Sequence, residues 1–159
     1  MYDISNYQKI KEDALKFYGI IGQIKCPALK NESVYFNSIG FNHLVYKKAN
    51  CERSKQDQIT KFKLLAKAKL IIGIATTFQE YDESLKEVIK KKYKKKIKET
   101  STVYYWGFVA IINGYRIKVI IRQIGNGQKY FYSVIPAWAI VSYRDIKLIS
   151  NCKGNLEED

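Results

Sequence analysis

The sequence predicts an α+β fold, with N-terminal helices packed on a C-terminal antiparallel β-meander of about four strands. Three observations point there. The first 75 residues carry apolar stripes at helical spacing. After residue 102, two long apolar stretches, "TVYYWGFVAII" and "YRIKVIIRQI", are joined by Asn113-Gly114, the strongest short hairpin signal. Helices that precede a run of sequential strands belong to α+β domains rather than to alternating α/β ones.

Each element follows in order. Residues 5 to 18 read as a helix capped by Ser5, striped by Tyr7, Ile10, Ala14 and Phe17, and ended by Gly19. "QIKCPAL" and "SVYFNS" are short extended pieces, and "GFNHLVYKK" is a short helix opened by Gly40. Ser54 begins a longer helix, "SKQDQITKFKLLAKAKLI", with the Ser-x-x-Asp spacing of a capping box. From Glu83 to Lys98 the apolar residues Leu85, Ile89, Tyr93 and Ile97 recur every four positions among eight lysines. That pattern predicts a helix fraying into a strand near Tyr93, although the same residues also fit one side of an edge strand. Residues 1–150 make one domain, and 151–159 an acidic tail.

Composition narrows the partner. Lys and Arg total 28 against 15 acids, a net charge of +13. Such an excess calls for a polyanion, nucleic acid before an acidic membrane surface. Lysine as a default surface residue explains part of it. It does not explain the four arginines, Arg53, Arg116, Arg122 and Arg144, in a chain with many lysines, since the planar fork is chosen where anions are gripped bidentately. No apolar run is long enough for a membrane span, and "MYDISNYQKIKED" lacks the apolar core of a signal peptide, so a cytoplasmic protein is expected. Cys26, Cys51 and Cys152 fall at unrelated spacings with a single histidine beside them, so no metal site and no cofactor are expected.

The hairpin sets the direction of its cations. A two-residue Asn-Gly loop places Arg116 opposite Ile111, Lys118 opposite Val109 and Arg122 opposite Tyr105, all on one side of the pleat. Ile117, Val119 and Ile121 lie on the other, against Ala110, Phe108 and Trp106, and that side is the core. Carrying the register through "GNGQ" without a bulge puts Arg122 beside Phe131, Ile120 beside Ser133 and Lys118 beside Ile135. Lys129 and Ser133 then join the cationic face, while Tyr130, Tyr132 and Val134 point to the core. One face thus offers Arg116, Lys118, Arg122, Lys129, the Ser133 hydroxyl and the Tyr105 phenol, a set suited to phosphate. The plain alternative is the polar outer face of a two-layer sheet. The lysine run can track a phosphate backbone through Lys91, Lys92, Lys94 and Lys95, or simply protect an edge strand.

His43 is the only histidine, four residues before Lys47 in "FNHLVYK". A lone histidine on a short helix is more often packed or capping than catalytic. With "RSKQDQITKFKLL" and "YWGFVAIINGYRIKVIIRQIGNGQKYFYSVIP", however, this segment resembles the barnase/EndoU/colicin/RelE-like (BECR) ribonuclease superfamily, in particular its phage- and mobile-element-associated branch. The resemblance covers about 60% of the chain, and its motifs are moderately specific because these families diverge heavily. It implies helices before a four-stranded antiparallel sheet and cleavage of RNA without a metal. By position it assigns His43 as the proton-transferring group, Arg122 as the strand cation and Ser133 as the closing-strand hydroxyl. Lys118 and Tyr105 join them by the face argument alone. Arg53, Arg116, Lys129 and Lys47 are expected to hold RNA, tRNA among the candidates. A toxin or mobile-element effector of this kind would have an immunity or antitoxin protein as a further partner. No carboxylate base stands out, Glu80 being the nearest. The rival function is a basic nucleic-acid-binding protein with a structural His43.

Overall fold

The computed structural model describes residues 2–136. It opens with α1 (Tyr7–Ile21), β1 (Gln23–Cys26), a 3-10 turn over Pro27–Leu29, and β2 (Glu32–Tyr35). Next come α2 (Ser38–Val45), a small ribbon of β3 (Tyr46–Lys48) and β4 (Cys51–Glu52), then α3 (Lys55–Lys63) and α4 (Leu65–Ile74). Four long strands close the described chain: β5 (Glu80–Lys92), β6 (Lys95–Ile112), β7 (Tyr115–Ile124) and β8 (Lys129–Pro136). The architecture is α+β, helices first, on a six-stranded sheet of order β1-β2-β8-β7-β6-β5.

Local chemistry accounts for the helix ends. α1 runs past Gly19 and stops at Gly22, whose φ of 63° suits a residue without Cβ. Ser5 does not cap it; its hydroxyl and backbone N–H donate to Asp3 instead. Asn37 rather than Gly40 opens α2, its side-chain oxygen accepting from the Gly40 N–H, and Ser54 caps α3 by accepting from Asp57 N–H. Each such cap contributes about 1 kcal/mol. Gly40 has a different use. A Cβ there would overlap the backbone carbonyl of Phe131 and crowd the Tyr18 hydroxyl, so glycine lets α2 lie directly on β8. The helix expected to continue from Ser54 breaks at Leu64 into α3 and α4.

The helices cover one face of the sheet. Ala14, Tyr18, Phe41, Leu44, Phe62, Leu65, Ile71 and Ile72 pack with Trp106, Phe108, Ile117, Val119, Ile121, Phe131 and Val134. The Asn113-Gly114 hairpin has the expected register, Arg116 opposite Ile111 through Arg122 opposite Tyr105. Both turn residues have positive φ, as a two-residue loop of this kind requires.

Three further expectations are corrected. The segment from Glu83 to Lys98 is not a helix: β5 and β6 form one long hairpin turning at Tyr93-Lys94, in which Leu85 and Ile89 share one side of the ribbon, Ile97, opposite Lys90, lies on the other, and Tyr93 sits in the turn. The sheet is mixed rather than wholly antiparallel. The meander β5 to β8 is joined to the β1–β2 hairpin by a short parallel pairing, Val34 with Lys129 and Tyr35 with Tyr130. Finally, β8 carries a bulge. Ile120 pairs with Ser133, but Ile121 pairs with Phe131 and Arg122 with Tyr130, leaving Tyr132 as the extra residue. The bulge reverses the faces of residues 129 to 131. Phe131 joins the helix-side core, while Tyr130 and Tyr132 join the Arg122 side with Val103, Tyr105, Ile120 and Ile135. The expected acidic tail, Cys152 and Arg144 lie outside the described residues.

Candidate functional site

The bulge creates the site. Beyond Tyr130, β8 has no β2 partner, and α2 and α3 pack there instead. Lys61 of α3 donates to the Val134 carbonyl (2.9 Å) and to Ser133 Oγ (3.0 Å). His43 of α2 stacks on the Tyr132 ring, with centroids 3.9 Å apart and planes 14° from parallel. The Arg122 guanidinium sits 5.1 Å from the centroid of the same ring and 5.4 Å from that of Tyr105, and its Nη1 donates to the Tyr130 hydroxyl at 3.2 Å. His43 and Arg122, far apart in the chain, thus meet on one tyrosine. They line a cleft of about 490 Å³ with Asn42, Lys47, Lys48, Asn50 and Tyr46. The β3–β4 turn forms its outer wall, with Asn42, Lys47 and Lys48 exposed.

Arg53 completes the arrangement from beneath. Its Nε donates to the His43 carbonyl (3.0 Å), and its Nη2 lies 3.2 Å from His43 Nε2. Arginine can only donate, so Nε2 accepts and the imidazole proton resides on Nδ1. Burial, reinforced by the charges of Arg53, Lys61 and Arg122, pushes the His43 pKa down to about 3. The ring is therefore neutral at pH 7. A group whose folded pKa lies below its ordinary value of 6.5 resists protonation only in the folded state. Acid unfolding should accordingly show stability falling as pH drops from about 6.5 toward about 3, by up to about 1.4 kcal/mol per pH unit from this residue. His43→Gln should flatten that slope, measured by denaturant titration across the range.

The predicted residues divide. His43, Arg122, Lys47 and Arg53 converge at the cleft. Ser133 is adjacent but fully buried, its hydroxyl held by Lys61. Lys118 is not presented on an open cationic face: it is completely buried and pairs with Glu80 at 2.9 Å, which also removes Glu80 as a candidate base exposed to the cleft. Tyr105 is buried beneath Arg122, and Arg116 lies half-buried farther along β7. Lys129 is carried to the opposite face by the bulge, where it pairs with Glu32 at 2.6 Å and lies over Trp106. Lys91, Lys92, Lys94 and Lys95 stand on the distal β5–β6 hairpin, away from the cleft walls. Tyr132, Lys48 and Lys61 were missed. A register without the bulge places Tyr132 in the core, and neither lysine is distinguishable by sequence from its neighbours.

No helix among the described residues is long and apolar enough to cross a membrane. Compared with protein-family models, curated protein sequences and solved structures, the chain matches none.

Proposed function

We propose that this protein is an endoribonuclease that cleaves RNA without a metal, by attack of the 2′-OH on the adjacent phosphorus to give a 2′,3′-cyclic phosphate and a 5′-OH end. The observation that carries the reading is the meeting of the only histidine and a stacked arginine on Tyr132, in a cleft rimmed by lysines and asparagines. Arg122 is preorganised by two tyrosine rings and the Tyr130 hydroxyl. Its fork stabilises negative charge as it builds on the phosphoryl oxygens, where fixed cations count most. Lys47 and Lys48, exposed along the cleft, draw the phosphate in as point charges.

His43 needs its ligand before it can move a proton. In the free protein Arg53 occupies Nε2, and the surrounding cations hold the ring neutral. A phosphodiester in the cleft supplies negative charge against Arg122, which lines it, and offers the Arg53 fork behind His43 a better acceptor. Both changes raise the basicity of Nε2, which then takes the 2′-OH proton, while the departing 5′-oxygen takes its proton from water. Toxin or mobile-element roles, and an immunity or antitoxin partner, would follow from such an activity.

One observation favours a second reading. The Arg53 contact to Nε2 and the strongly depressed pKa are also how a histidine is locked as a structural prop in a nucleic-acid-binding protein. Incubation with total RNA and defined tRNA in EDTA, followed by end-group analysis, separates the two. Cyclic-phosphate ends are expected, with DNA left intact. Absence of cleavage of every RNA class defeats the nuclease reading. In both cases RNA affinity should fall steeply between about 50 and 200 mM salt as counterion release weakens.

A further inference from the structure

Past Val88 the β5–β6 hairpin leaves the sheet. Every residue from Ile89 to Thr100 is exposed, and β6 over this stretch pairs only with β5. The ribbon extends roughly 15 Å beyond Val88 at the usual rise per residue. It carries seven lysines against Glu99, and the register opposes Lys91 to Lys96 and Lys92 to Lys95. Directly opposed like charges destabilise a ladder, and a two-stranded ribbon is marginal even without them. Because the pairs alternate, one faces each side of the ribbon. Lysines guarding an edge strand would not need both sides.

The tip is the second observation. Tyr93 and Lys94 both adopt the left-handed backbone, φ 52° and 64°, that Asn113-Gly114 adopts in the neighbouring hairpin. Asn-Gly fits that turn at little cost, whereas a bulky side chain there is strained. The strained choice leaves Tyr93 90% exposed at the end of the arm. Exposed strain of this sort signals a use.

We infer that the β5–β6 arm is an RNA-binding finger for unpaired nucleotides, with Tyr93 stacking on a base and lysines on both faces holding the backbone that folds around the tip. This rests on the reading that RNA is the ligand of the cleft, and it names the class: RNA with an exposed loop rather than a blunt duplex. A flexible single strand can follow both faces of a narrow ribbon, and any base offers a face to stack.

The test uses the full chain and 2′-O-methyl RNA, which cannot be cleaved: a stem-loop, and the same stem as a blunt duplex. Fluorescence polarisation should show the stem-loop bound at least about fivefold more tightly, in line with one stacked base. Tyr93→Asn suits the turn better, so its melting temperature should equal or exceed that of the unsubstituted protein. Its stem-loop affinity should nevertheless drop to the duplex level with the salt dependence unchanged, and Tyr93→Phe should retain tight binding. Replacing Lys91, Lys92, Lys95 and Lys96 by Gln should flatten the salt dependence. Equal binding of loop and duplex, full stem-loop affinity in Tyr93→Asn, or lost affinity in Tyr93→Phe would each overturn the inference. Loop-selective binding by a protein that cleaves no RNA would sink the nuclease reading and leave the finger standing; cleavage with full stem-loop affinity in Tyr93→Asn would do the reverse.

Discussion

Arg122→Ala is expected to lower the rate of RNA cleavage at saturating substrate by at least about 100-fold, the scale on which a preorganised charge-stabilising donor acts. The guanidinium is held by two rings and one hydroxyl, so its position is fixed before substrate arrives. Arg122→Lys should recover little of this. An ammonium cannot keep planar contact with Tyr105 and Tyr132 while offering two parallel donors to one phosphate. His43→Ala should cut the rate comparably but leave RNA affinity nearly unchanged, because a neutral imidazole contributes little to phosphate binding. Single-turnover rates and separately measured affinities check both statements. Full cleavage by His43→Ala would show that the assigned proton carrier is wrong. A rate loss in Arg122→Ala that merely tracks lost folding, judged by melting under assay conditions, would remove its role in the chemistry.

The largest effect on stability is expected from the buried pair. Lys118 reaches across the strand bearing Gly107, where no side chain blocks the way, to meet Glu80 with both groups fully buried. Glu80→Leu removes the carboxylate partner of a fully buried ammonium that sits opposite Ile135 on the face carrying Ile120, which should cost about 3–5 kcal/mol. Glu80→Leu combined with Lys118→Met should recover most of that loss, because a buried ion pair gains little over well-packed apolar side chains of similar size. Denaturant midpoints of the two single variants and the double variant test this directly. Additive losses would mean that the pair is not the unit that matters.

What could be read in advance was what local chemistry determines. Asn113-Gly114 fixes its own turn and therefore ten paired positions, so the placement of Arg116, Lys118 and Arg122 on one side was legible. The capping signal at Ser54 was legible for the same reason. The β5–β6 arm was not, since apolar residues at every fourth position among lysines fit a helix and an extended strand alike, and Tyr-Lys gives no turn signal. The extra residue at Tyr132 was also hidden, because a bulge in β8 is chosen by what packs on it, α2 and α3, rather than by the glycines upstream. For Lys118, the expectation of an exposed cation failed because its neutralising partner lies far off in sequence, at the start of β5. The cleft itself depends on such distant meetings, and Arg53 beneath His43 could be suspected of gripping an anion but not of gripping a histidine.

The parallel pairing of β2 with β8 sets an order of assembly. It joins Val34 to Lys129, so the N-terminal hairpin and α2 have no sheet to complete until the last described strand is available. Contacts this remote in sequence close late, since the loop entropy must be met before they return anything. The β5–β8 meander, with its adjacent partners, can zip first, leaving His43 to dock on Tyr132 in a final step. During synthesis, then, the histidine would emerge long before its tyrosine, and a ribosome-bound chain would hold the two halves of the cleft apart until β8 is released from the exit tunnel.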